Sequence, residues 1–504
     1  MAAVRDFLIS TAIFSVCSSF QLVVETKLGV FAIPRHFLSI ASSPKTPCHD
    51  RNEFQKILHS GRFTSLVRGL SPAYWRVGGT EGQEVSYYST QSECKSAGIE
   101  NGEHMKKDFE PLCLTQIEWD ELNGLVVKTN TTLLFDLSNI KRHKDGTWNY
   151  SNVEKLLNYS AAKGYNIAWQ LGNEPHAYPD HFNVTVEPKQ SVDDFKTLRK
   201  FVRARQIIVG LESTNPYEVK SDVENYEYLT QWISSGGLQF VNALSWHQYF
   251  IRNPNPTVEQ MHNASILDSL LLSIQTLKSC TKGYKVDYWL TETGSILGSD
   301  AVHNISGSYA AGFMWLYKLG LAARMGHSVV CHQTLFTDSR GLMDPTNFTP
   351  FVVILNSYWV SYLFKHLVGS VVLNVDGQLN MNQSVRSFAF CTQPNDTAIK
   401  RSYMAGDVTL ILINIQTEKP ATIQLVEPLS QFNVDVYLLT PGIGGITSNF
   451  TLLNGDKLEM SMDNQLPMIT PTTQANSQTI SLPPLTYGFY VIQNAKAEAC
   501  LSTI

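Results

Sequence analysis

Eight short apolar runs, separated by longer amphipathic stretches, constrain the fold of this chain more than any other feature. They lie at residues 37–40, 74–77, 132–135, 166–169, 206–209, 240–244, 286–290 and 328–331. Runs of this length are typical of buried strands, and the helical patterns between them supply the crossover connections that parallel strands need. Eight such units predict an α/β fold of the (β/α)8 TIM-barrel class over residues 35–370. An open doubly wound sheet is disfavoured, because no glycine-rich nucleotide loop follows an early strand.

The pattern changes after residue 370. Short apolar runs at 371–375, 409–414, 435–439 and 487–492 are separated by turns rich in Gly, Pro, Asn and Ser. This pattern predicts a C-terminal antiparallel β-sandwich over residues 371–504. Residues 81–125 are polar, and we expect them to form an excursion on the surface of the barrel.

Length and charge limit the classes of function. A chain of 504 residues exceeds the size at which a single core stops growing, so a barrel with an appended domain is expected. The net charge of −5 directs the protein neither to nucleic acid nor to anionic membranes, and we expect no nucleic-acid partner. Beyond the N-terminus no stretch approaches the ~20 apolar residues of a transmembrane segment. A polyanionic substrate would therefore need a local basic groove.

The N-terminus has the pattern of a secretory signal. Arg5 precedes an apolar stretch at 7–16, and the small residues Ser18 and Ser19 follow it. This predicts a signal peptide over residues 1–19 and a secreted, extracellular protein, with the lysosome as the alternative destination. A first buried strand or helix is the competing interpretation.

Asn-X-Ser/Thr sequons are consistent with export, although chance alone would produce several. They begin at Asn130, Asn149, Asn158, Asn183, Asn263, Asn304, Asn347, Asn382, Asn395 and Asn449.

The eight cysteines are scattered along the chain. With Cys17 inside the signal an odd number remains, so at least one is unpaired or pairs between chains. Their spacing matches no zinc or iron–sulfur ligand set, and we expect no metal and no cofactor. Cys391 and Cys500 flank the last segment, and an exported protein could link them by a disulfide.

Acidic residues stand at the ends of two predicted strands. The fourth run leads into Asn173, Glu174 and Pro175, and the seventh leads into Glu292. Catalytic groups of such barrels lie at the C-terminal strand ends, and strands four and seven face each other across the mouth. Two carboxylates over one pocket suit glycoside hydrolysis, in which one protonates the leaving oxygen and the other attacks the anomeric carbon. A glutamate alone at a strand end is more often a helix cap or an ion-pair partner.

The sixth strand carries two further candidates. Tyr249 either packs or bonds to Glu292 through its hydroxyl, which would hold that carboxylate ionised. His247 is either a hydrogen-bonded residue of the barrel wall or a contact for the sugar. Trp169 and Trp289 precede the two acids and are expected to lie in the core.

Five stretches of the chain are distinctive: GLSPAYWRVGGT (69–80), WQLGNEP (169–175), WLTETGS (289–295), AAGFMWLYKLGLAARMG (310–326) and YGFYVIQNAKAEAC (487–500). Together they resemble the heparanase branch of the glycoside hydrolase family 79 endo-β-glucuronidases. The motif LGNEP alone occurs in many barrel glycosidases, whereas the helical and C-terminal stretches are more specific.

The resemblance implies a fold, a mechanism and a set of site residues. The sandwich would include an N-terminal strand from residues 20–34. The mechanism would be retaining, with Glu174 as acid/base and Glu292 as nucleophile. Asn173 would bond the sugar 2-hydroxyl, and Tyr249 matches the tyrosine beside the nucleophile. The family pattern also implies substrate contacts for Thr80 and Gln333 and a Cys391–Cys500 disulfide.

The chain departs from the family pattern at several positions. Gln170 stands where the family usually has a glutamate, and a strand-1 aspartate is replaced near Ser43. One glycine, Gly298, remains of the run that contacts the glucuronate carboxylate in the family, and Arg340 replaces a tyrosine. The segment between Thr80 and the third strand is too short for the removable linker of heparanase. We therefore expect a single-chain enzyme, as in leech-type hyaluronidases.

The resemblance implies a glycosaminoglycan partner and leaves its identity open. Heparan sulfate is the leading substrate, which would also permit association with cell-surface proteoglycans, and hyaluronan is the alternative. A non-catalytic glycan-binding paralogue is a further alternative. The basic cluster of the sequence is expected to be a solvated helix face rather than a wall of the cleft. Its members are Lys196, Arg199, Lys200, Arg203 and Arg205.

Overall fold

The structure is a computed structural model, and it describes most of the chain. The described residues are 18–48, 51–96, 111–217, 223–253, 255–297, 305–336, 341–344, 353–377 and 379–501. Several predictions therefore lie outside the described residues: positions 1–17 of the signal peptide, the sequons at Asn304 and Asn347, Gly298, and the departure at Arg340.

The strands are numbered in chain order. They are β1 Ser18–Leu22, β2 Val24–Ala32, β3 Leu38–Ser42, β4 Ala73–Val77, β5 Val85–Tyr88, β6 Leu112–Thr115, β7 Thr131–Leu137, β8 Ile167–Leu171, β9 Ile208–Ser213, β10 Ala243–Ile251, β11 Tyr288–Ile296, β12 His327–Gln333, β13 Met343–Asp344, β14 Val353–Ile354, β15 Val368–Val375, β16 Val385–Thr392, β17 Val408–Asn414, β18 Ala421–Leu425, β19 Val434–Pro441, β20 Thr451–Leu453, β21 Asp456–Lys457, β22 Thr472–Gln474, β23 Thr479–Leu482 and β24 Thr486–Ile492.

The helices are numbered in the same way. They are α1 Lys45–Cys48, α2 Arg51–His59, α3 Gly61–Gly69, α4 Gln91–Ser96, α5 Gln116–Lys128, α6 Ser151–Lys163, α7 Tyr178–Phe182, α8 Pro188–Phe201, α9 Val223–Ser234, α10 Ala264–Cys280, α11 Ala311–Arg324 and α12 Asn356–Leu367. None of the helices within the described segments is long and apolar enough to cross a membrane.

Eight parallel strands close into a barrel. Around the barrel the order is β3, β4, β7, β8, β9, β10, β11 and β12, and the last strand pairs with the first. The predicted fold class, a (β/α)8 barrel followed by a β-sandwich, is confirmed. The strands run further toward their C-terminal ends than the apolar runs predicted, and β10 and β11 continue to Ile251 and Ile296. Several of the residues missed at these strand ends are polar, among them His247, Gln248 and Glu292.

Alternation along the strands separates the two faces of the barrel wall. Inward-facing small and aromatic residues fill the lower barrel: Ala41, Leu134, Ala168, Val209, Ala243, Trp289, Val329 and Cys331. Tyr74, which packs against this layer, and Ala168 and Trp289 within it are each followed two positions later by a polar residue. These polar residues are Arg76, Gln170 and Thr291. A polar layer therefore lies directly above an apolar one.

The excursion predicted at 81–125 is shorter than expected. Strands β5 and β6 pair in parallel beside the barrel, and a disulfide joins Cys94 to Cys113. From Gln116 onward the chain forms α5, a regular barrel helix that begins with a capping box between Thr115 and Glu118. Its polar surface made the helix hard to recognise, but Trp119 and other apolar side chains on its inner face are buried.

Two sheets form the C-terminal sandwich. The larger has the order β2-β15-β16-β17-β24-β19-β20-β21, with β22 also pairing β19, and the smaller has the order β1-β18-β23. The N-terminal strand β2 pairs antiparallel with β15 of the larger sheet. Ser18 and Ser19, at the end of the predicted signal peptide, lie in β1 and pair with β18. The predicted domain boundary at 370 falls inside β15, because α12 runs directly into that strand.

Helix α11 joins the barrel to the sandwich. Every residue from Ala311 to Ala323 is buried. A Cβ at Gly320 would lie 2.3 Å from the ring of Phe388 in β16, so glycine allows the helix to approach the sheet. The contact between barrel and sandwich thus explains the small and apolar residues of this stretch.

Candidate active site

Glu174 occupies a strained position directly after the fourth barrel strand. It adopts φ 51° and ψ 59°, in the left-handed region, and the 3-10 turn Pro175–Ala177 begins at the next residue. Its backbone N–H donates to the carbonyl of Glu212 at 2.9 Å. Left-handed backbone is unfavourable for a residue with a Cβ and is concentrated at functional sites. Pro175 suits the first position of the turn and redirects the chain.

Glu292 lies within β11 and has a partner on each oxygen. The Tyr249 hydroxyl donates to Oε1 at 2.9 Å, and the Arg76 guanidinium donates to Oε2 at 2.8 Å. Burial opposes ionisation, but His247, Arg76 and Tyr249 outweigh it and hold the pKa of Glu292 below its usual value. The group is therefore a carboxylate at neutral pH, as a nucleophile must be.

Arg76 in β4 connects the elements of the site. Besides Glu292, it donates to Asn173 Oδ1 and Glu212 Oε2, each at 2.8 Å, and to Gln170 Oε1 at 2.9 Å. The side chain is fully buried. Burial disfavours its charge, but Glu212 and Glu292 raise the pKa of Arg76 above its ordinary value. Because of its fixed geometry, one guanidinium can hold four groups in register.

Glu212 is a third carboxylate in the site, and it is buried completely. It closes β9, and besides Arg76 it accepts from the Thr291 hydroxyl at 2.9 Å and from His247 Nε2 at 2.8 Å. Burial opposes its ionisation, but Arg76 and His247 hold the pKa of Glu212 below its usual value. A third carboxylate behind the predicted pair is thus ionised and fully hydrogen-bonded.

His247 lies between two carboxylates. Its Nδ1 is 2.8 Å from Glu174 Oε1, and its Nε2 is 2.8 Å from Glu212 Oε2. Burial favours the neutral ring, but Glu292, Glu174 and Glu212 together raise the pKa of His247 to about 10. An imidazolium donates from both nitrogens, which matches two carboxylate acceptors.

Gln170 performs a task that a carboxylate could not perform. Its Oε1 accepts from Arg76, and its Nε2 donates to Glu212 Oε1. An amide both accepts and donates, whereas an ionised glutamate only accepts and would place two carboxylates in contact. Gln170 departs from the family pattern at a position where its side chain contacts Glu212, near the end of β9. An amide suits this neighbour, whereas a second ionised glutamate would not.

Asn173 presents one end of its amide to the site. Its Oδ1 is held by Arg76, and its backbone N–H donates to the Tyr178 hydroxyl at 3.1 Å. With the oxygen engaged, the NH2 group is the end that can donate to a ligand.

The chain is similar to known glycoside hydrolases over most of its length. The N-terminal domain of glycosyl hydrolase family 79 matches residues 54–320. Heparanase of Mus musculus is 32% identical, covering 95% of this chain and 94% of that protein. This chain belongs to glycosyl hydrolase family 79. It is a glycoside hydrolase of the heparanase-like group, as the sequence motifs predicted.

Two further relatives show the range of this family. The hyaluronoglucuronidase of Hirudo nipponia is 30% identical, covering 88% of this chain and 91% of that protein. Inactive heparanase-2 of Homo sapiens is 28% identical, covering 95% of this chain and 89% of that protein. Among solved structures, a 4-O-α-L-rhamnosyl-β-D-glucuronidase of Fusarium oxysporum superposes with a TM-score of 0.67 at 12% identity, covering 94% of this chain and all of that one. That likeness shows the shared fold.

In this family 79 hydrolase His247 faces away from the open pocket. The sequence left it between a residue of the barrel wall and a sugar contact, and its side chain has no exposed surface. Both ring nitrogens are engaged by carboxylates. A direct sugar contact would require one of these hydrogen bonds to break, so the geometry favours the wall position.

The remaining predicted contacts lie around the mouth. Thr80 opens the 3-10 turn Thr80–Glu84, next to Gly79, where a Cβ would come 3.7 Å from Glu292 Oε2. Gln333 is the last residue of β12 and is partly exposed. Both positions are open to a ligand, and their contacts with substrate stay predictions.

A carboxylate from another element lies beside the departure at Ser43. The Ser43 hydroxyl donates to Glu81, which also forms an ion pair of 2.8 Å with Lys45. The first strand end therefore contributes a hydroxyl, and the acid comes from the turn after β4.

The basic cluster lies at the far end of the barrel. Lys196, Arg199 and Lys200 are near the C-terminus of α8, where the chain leads into the start of β9. Barrel helices run antiparallel to the strands, so this end is opposite the mouth. Arg199 donates to the Phe240 carbonyl at 2.9 Å, a structural contact. The expected solvated helix face, not a cleft wall, fits this placement.

The cysteines form both disulfides and free thiols, and the sequon asparagines of the described residues lie at the surface. Cys391 in β16 pairs with Cys500, as the resemblance implied. Cys48, Cys280 and Cys331 are free thiols. Asn149 is partly exposed, and seven sequon asparagines are exposed: Asn130, Asn158, Asn183, Asn263, Asn382, Asn395 and Asn449.

Arg76 and Glu212 were missed by the sequence analysis. Each is a charged residue within or ending an otherwise apolar barrel strand, and burial of an ionised group requires a partner. That signal was visible in the sequence, whereas the partners were not. Among the residues that the structure describes, no group of three or more His, Cys, Asp or Glu side chains could hold a metal ion.

Proposed function

We propose that this chain is a secreted, retaining endo-β-glucuronidase that hydrolyses internal glucuronidic bonds of a glycosaminoglycan, heparan sulfate in the first instance. The observation that carries the proposal is the contrast between two acids at one mouth. Glu292 has a donor on each oxygen and is held ionised, whereas Glu174 is held through Oε1 alone. Within the described residues, Oε2 of Glu174 accepts no hydrogen bond. That oxygen is available to carry a catalytic proton.

The proposed reaction has two steps. In the first, Glu292 attacks the anomeric carbon while Glu174 gives its proton to the glycosidic oxygen, so the C–O bond breaks and a glycosyl ester forms. In the second, Glu174 takes a proton from water, the water oxygen attacks the same carbon, and Glu292 leaves as a carboxylate. Asn173 would donate from its free NH2 to the sugar 2-hydroxyl. Tyr249 and Arg76 keep Glu292 aimed during both steps.

A cavity on the same face offers a place for the leaving part of the polymer. Its volume is about 400 Å³, and it lies between the ends of β9 and β10 and the start of α10. Its polar lining includes Tyr217, Arg252, Asn253 and Gln260. Burial lowers the pKa of His176, and the nearby charge of Arg252 lowers it further. His176 follows Glu174 by two residues, so the cation is on the acid's side of the mouth.

Hyaluronan is the second candidate substrate. The leech hyaluronoglucuronidase is 30% identical to this chain. The net charge of −5 and the placement of the basic cluster opposite the mouth also suit a less charged polymer.

Export is part of the proposal. The disulfides Cys94–Cys113 and Cys391–Cys500 support an oxidising compartment, either outside the cell or in the lysosome. Exposed sequons support it as well.

The test is product sizing with both polymers. Purified protein is incubated separately with heparan sulfate and with hyaluronan, and chain lengths are followed by size exclusion. Shortened heparan sulfate supports the leading proposal, and shortened hyaluronan alone supports the second. If neither polymer is shortened, the protein is a glycan-binding protein without turnover. Glu292→Gln should abolish cleavage in a protein that still folds, as circular dichroism would show, and cleavage that survived it would refute the assigned nucleophile.

A further inference from the structure

Two side chains lie in line behind the proposed acid, Glu174, where the substrate cannot reach them. Glu174 has 22% of its side chain exposed, whereas the side chains of His247 and Glu212 have none. Equal distances of 2.8 Å join Glu174 to His247 and His247 to Glu212. The inner two residues can therefore influence the reaction through Glu174.

We propose that Glu212 and His247 form a buried positioning pair, which sets the orientation and the charge environment of Glu174. The proposal rests on the function proposed above for Glu174. Neither inner residue is a catalytic residue, because neither can touch the substrate.

The first argument is orientational. His247 Nδ1 engages Oε1 of Glu174, so the carboxyl group cannot rotate freely, and Oε2 is the oxygen left to face the pocket. The ring itself is held by Glu212 at its other nitrogen. Glu212 in turn is anchored by Arg76 and by the Thr291 hydroxyl. Each member of the line is thus fixed by the member behind it, back to the barrel wall.

The second argument is electrostatic. Two cations, Arg76 and His247, face three carboxylates in the buried cluster: Glu174, Glu212 and Glu292. The cluster is therefore neutral when one carboxyl group carries a proton. Glu212 and Glu292 have both oxygens engaged by donors, whereas Glu174 keeps Oε2. Glu174 is accordingly the one of the three acids with an oxygen free to face the pocket, and the positive charge of His247 lies directly behind it.

Other titratable groups lie near the pair. Asp136 is buried close to Arg76, and burial raises its pKa well above the ordinary value. His176 is a neighbour of Glu174, and burial lowers its pKa. Gln170 is neutral and contacts Glu212. A glutamate at position 170 would add a charge that the pair could not balance.

The charge of His247 can be tested without any substrate. The full-length protein is labelled with 15N-histidine, and the imidazole nitrogens are titrated by NMR between pH 5 and pH 9. We expect His247 to keep an imidazolium signature at pH 8, since its pKa is raised to about 10. His327 and His332 are internal controls, because burial lowers the pKa of each to about 3. A neutral His247 at pH 7 would overturn the proposal.

Two variants test the role of Glu212. Glu212→Gln removes the buried charge at constant shape. The proton affinity of His247 should then fall at least tenfold, so that the ring loses its charge at a lower pH. Glu212→Asp keeps the charge but moves it away from His247 Nε2. This variant replaces the first one in the titration if Glu212→Gln does not fold. An unchanged His247 titration in a folded variant would contradict the pair.

The kinetic test separates positioning from general stability. Misplacement of a catalytic group by ~1 Å can cost about 100-fold in rate. Glu212→Gln should therefore lower kcat by 10- to 100-fold, with KM changed less than threefold and a shifted pH–rate profile. His247→Asn, which retains a donor near Nδ1, should keep more activity than His247→Gln. Equal losses in both His247 variants, or unchanged kcat in Glu212→Gln, would refute the proposal. If wild type cleaves no polymer, the proposed function fails, and the titration still decides the buried pair.

Discussion

Arg76 and Glu212 form a fully buried ion pair, with 2.8 Å between Nη2 and Oε2 and no exposed surface on either side chain. The pair lies behind the mouth of the barrel, and the same guanidinium also holds Glu292 and Asn173. Removal of one member of a buried pair leaves an uncompensated charge in a low-dielectric environment. The integrity of the site and the stability of the barrel therefore depend on the same residue.

The first prediction concerns Arg76. Arg76→Gln should destabilise the protein by about 3–5 kcal/mol, because Glu212 and Glu292 lose their shared cation. Urea denaturation followed by intrinsic fluorescence measures the change. Arg203→Gln is the matched control, since Arg203 is exposed, and it should change stability by less than about 0.5 kcal/mol. Similar losses of unfolding free energy in the two variants would contradict the claim that the buried ion pairs of Arg76 stabilise the protein.

The second prediction concerns Tyr249. Tyr249→Phe removes the hydroxyl donor to Glu292 Oε1 and leaves the ring in place. A donor to the charged form lowers the pKa of a carboxyl group, so its loss raises the pKa of Glu292. Glu292 then becomes protonated at a higher pH, and the acidic limb of the kcat/KM profile should move upward. Tyr178→Phe, which removes another buried hydroxyl of the site without touching Glu292, should leave that limb in place. A limb that stays unmoved in Tyr249→Phe would contradict the assignment of Glu292.

The third prediction concerns Gln170. Gln170→Glu would place a carboxylate against Glu212, and repulsion and burial should raise the pKa of the new acid above its value in the unfolded chain. A raised pKa in the folded state means that stability is lost as pH rises. The stability difference from wild type should therefore grow between pH 5 and pH 8, as measured by urea denaturation at each pH. Gln170→Leu removes the same hydrogen bonds without adding a charge, and its loss should vary much less with pH. A loss in Gln170→Glu that is the same at pH 5 and pH 8 would count against the charge argument.

The fourth prediction separates the two candidate polymers. Arg252 lines the cavity on the acid's side of the mouth. If that cavity receives a sulfated leaving group, Arg252→Gln should raise KM for heparan sulfate several-fold and affect hyaluronan less, because heparan sulfate carries more charge per disaccharide. Arg205→Gln, at the far end of the barrel, should change neither KM. Equal effects of Arg252→Gln on the two substrates would remove the cavity as a source of specificity.

Much of the architecture was accessible from the sequence because it depends on local periodicity. Eight apolar runs at the spacing of βα units predict a parallel barrel, and Glu174 and Glu292 follow from where two of those strands end. The motifs around Glu174 and in α11 also placed the chain in its family. These features depend on residues that are close together in the sequence, so they can be predicted without the tertiary structure.

The network behind the two acids was decided by the tertiary structure alone. Arg76, Glu212 and His247 come from three different strands, and no local pattern says which carboxylate faces which cation. Burial and distance, which set the charge of His247, exist only once the barrel has closed. The sequence by itself determined the barrel, the two acids and the position at which this chain departs from its relatives. Because electrostatic energies depend on distance and burial, folding alone determined that Gln170 meets Glu212 and that His247 lies between two carboxylates.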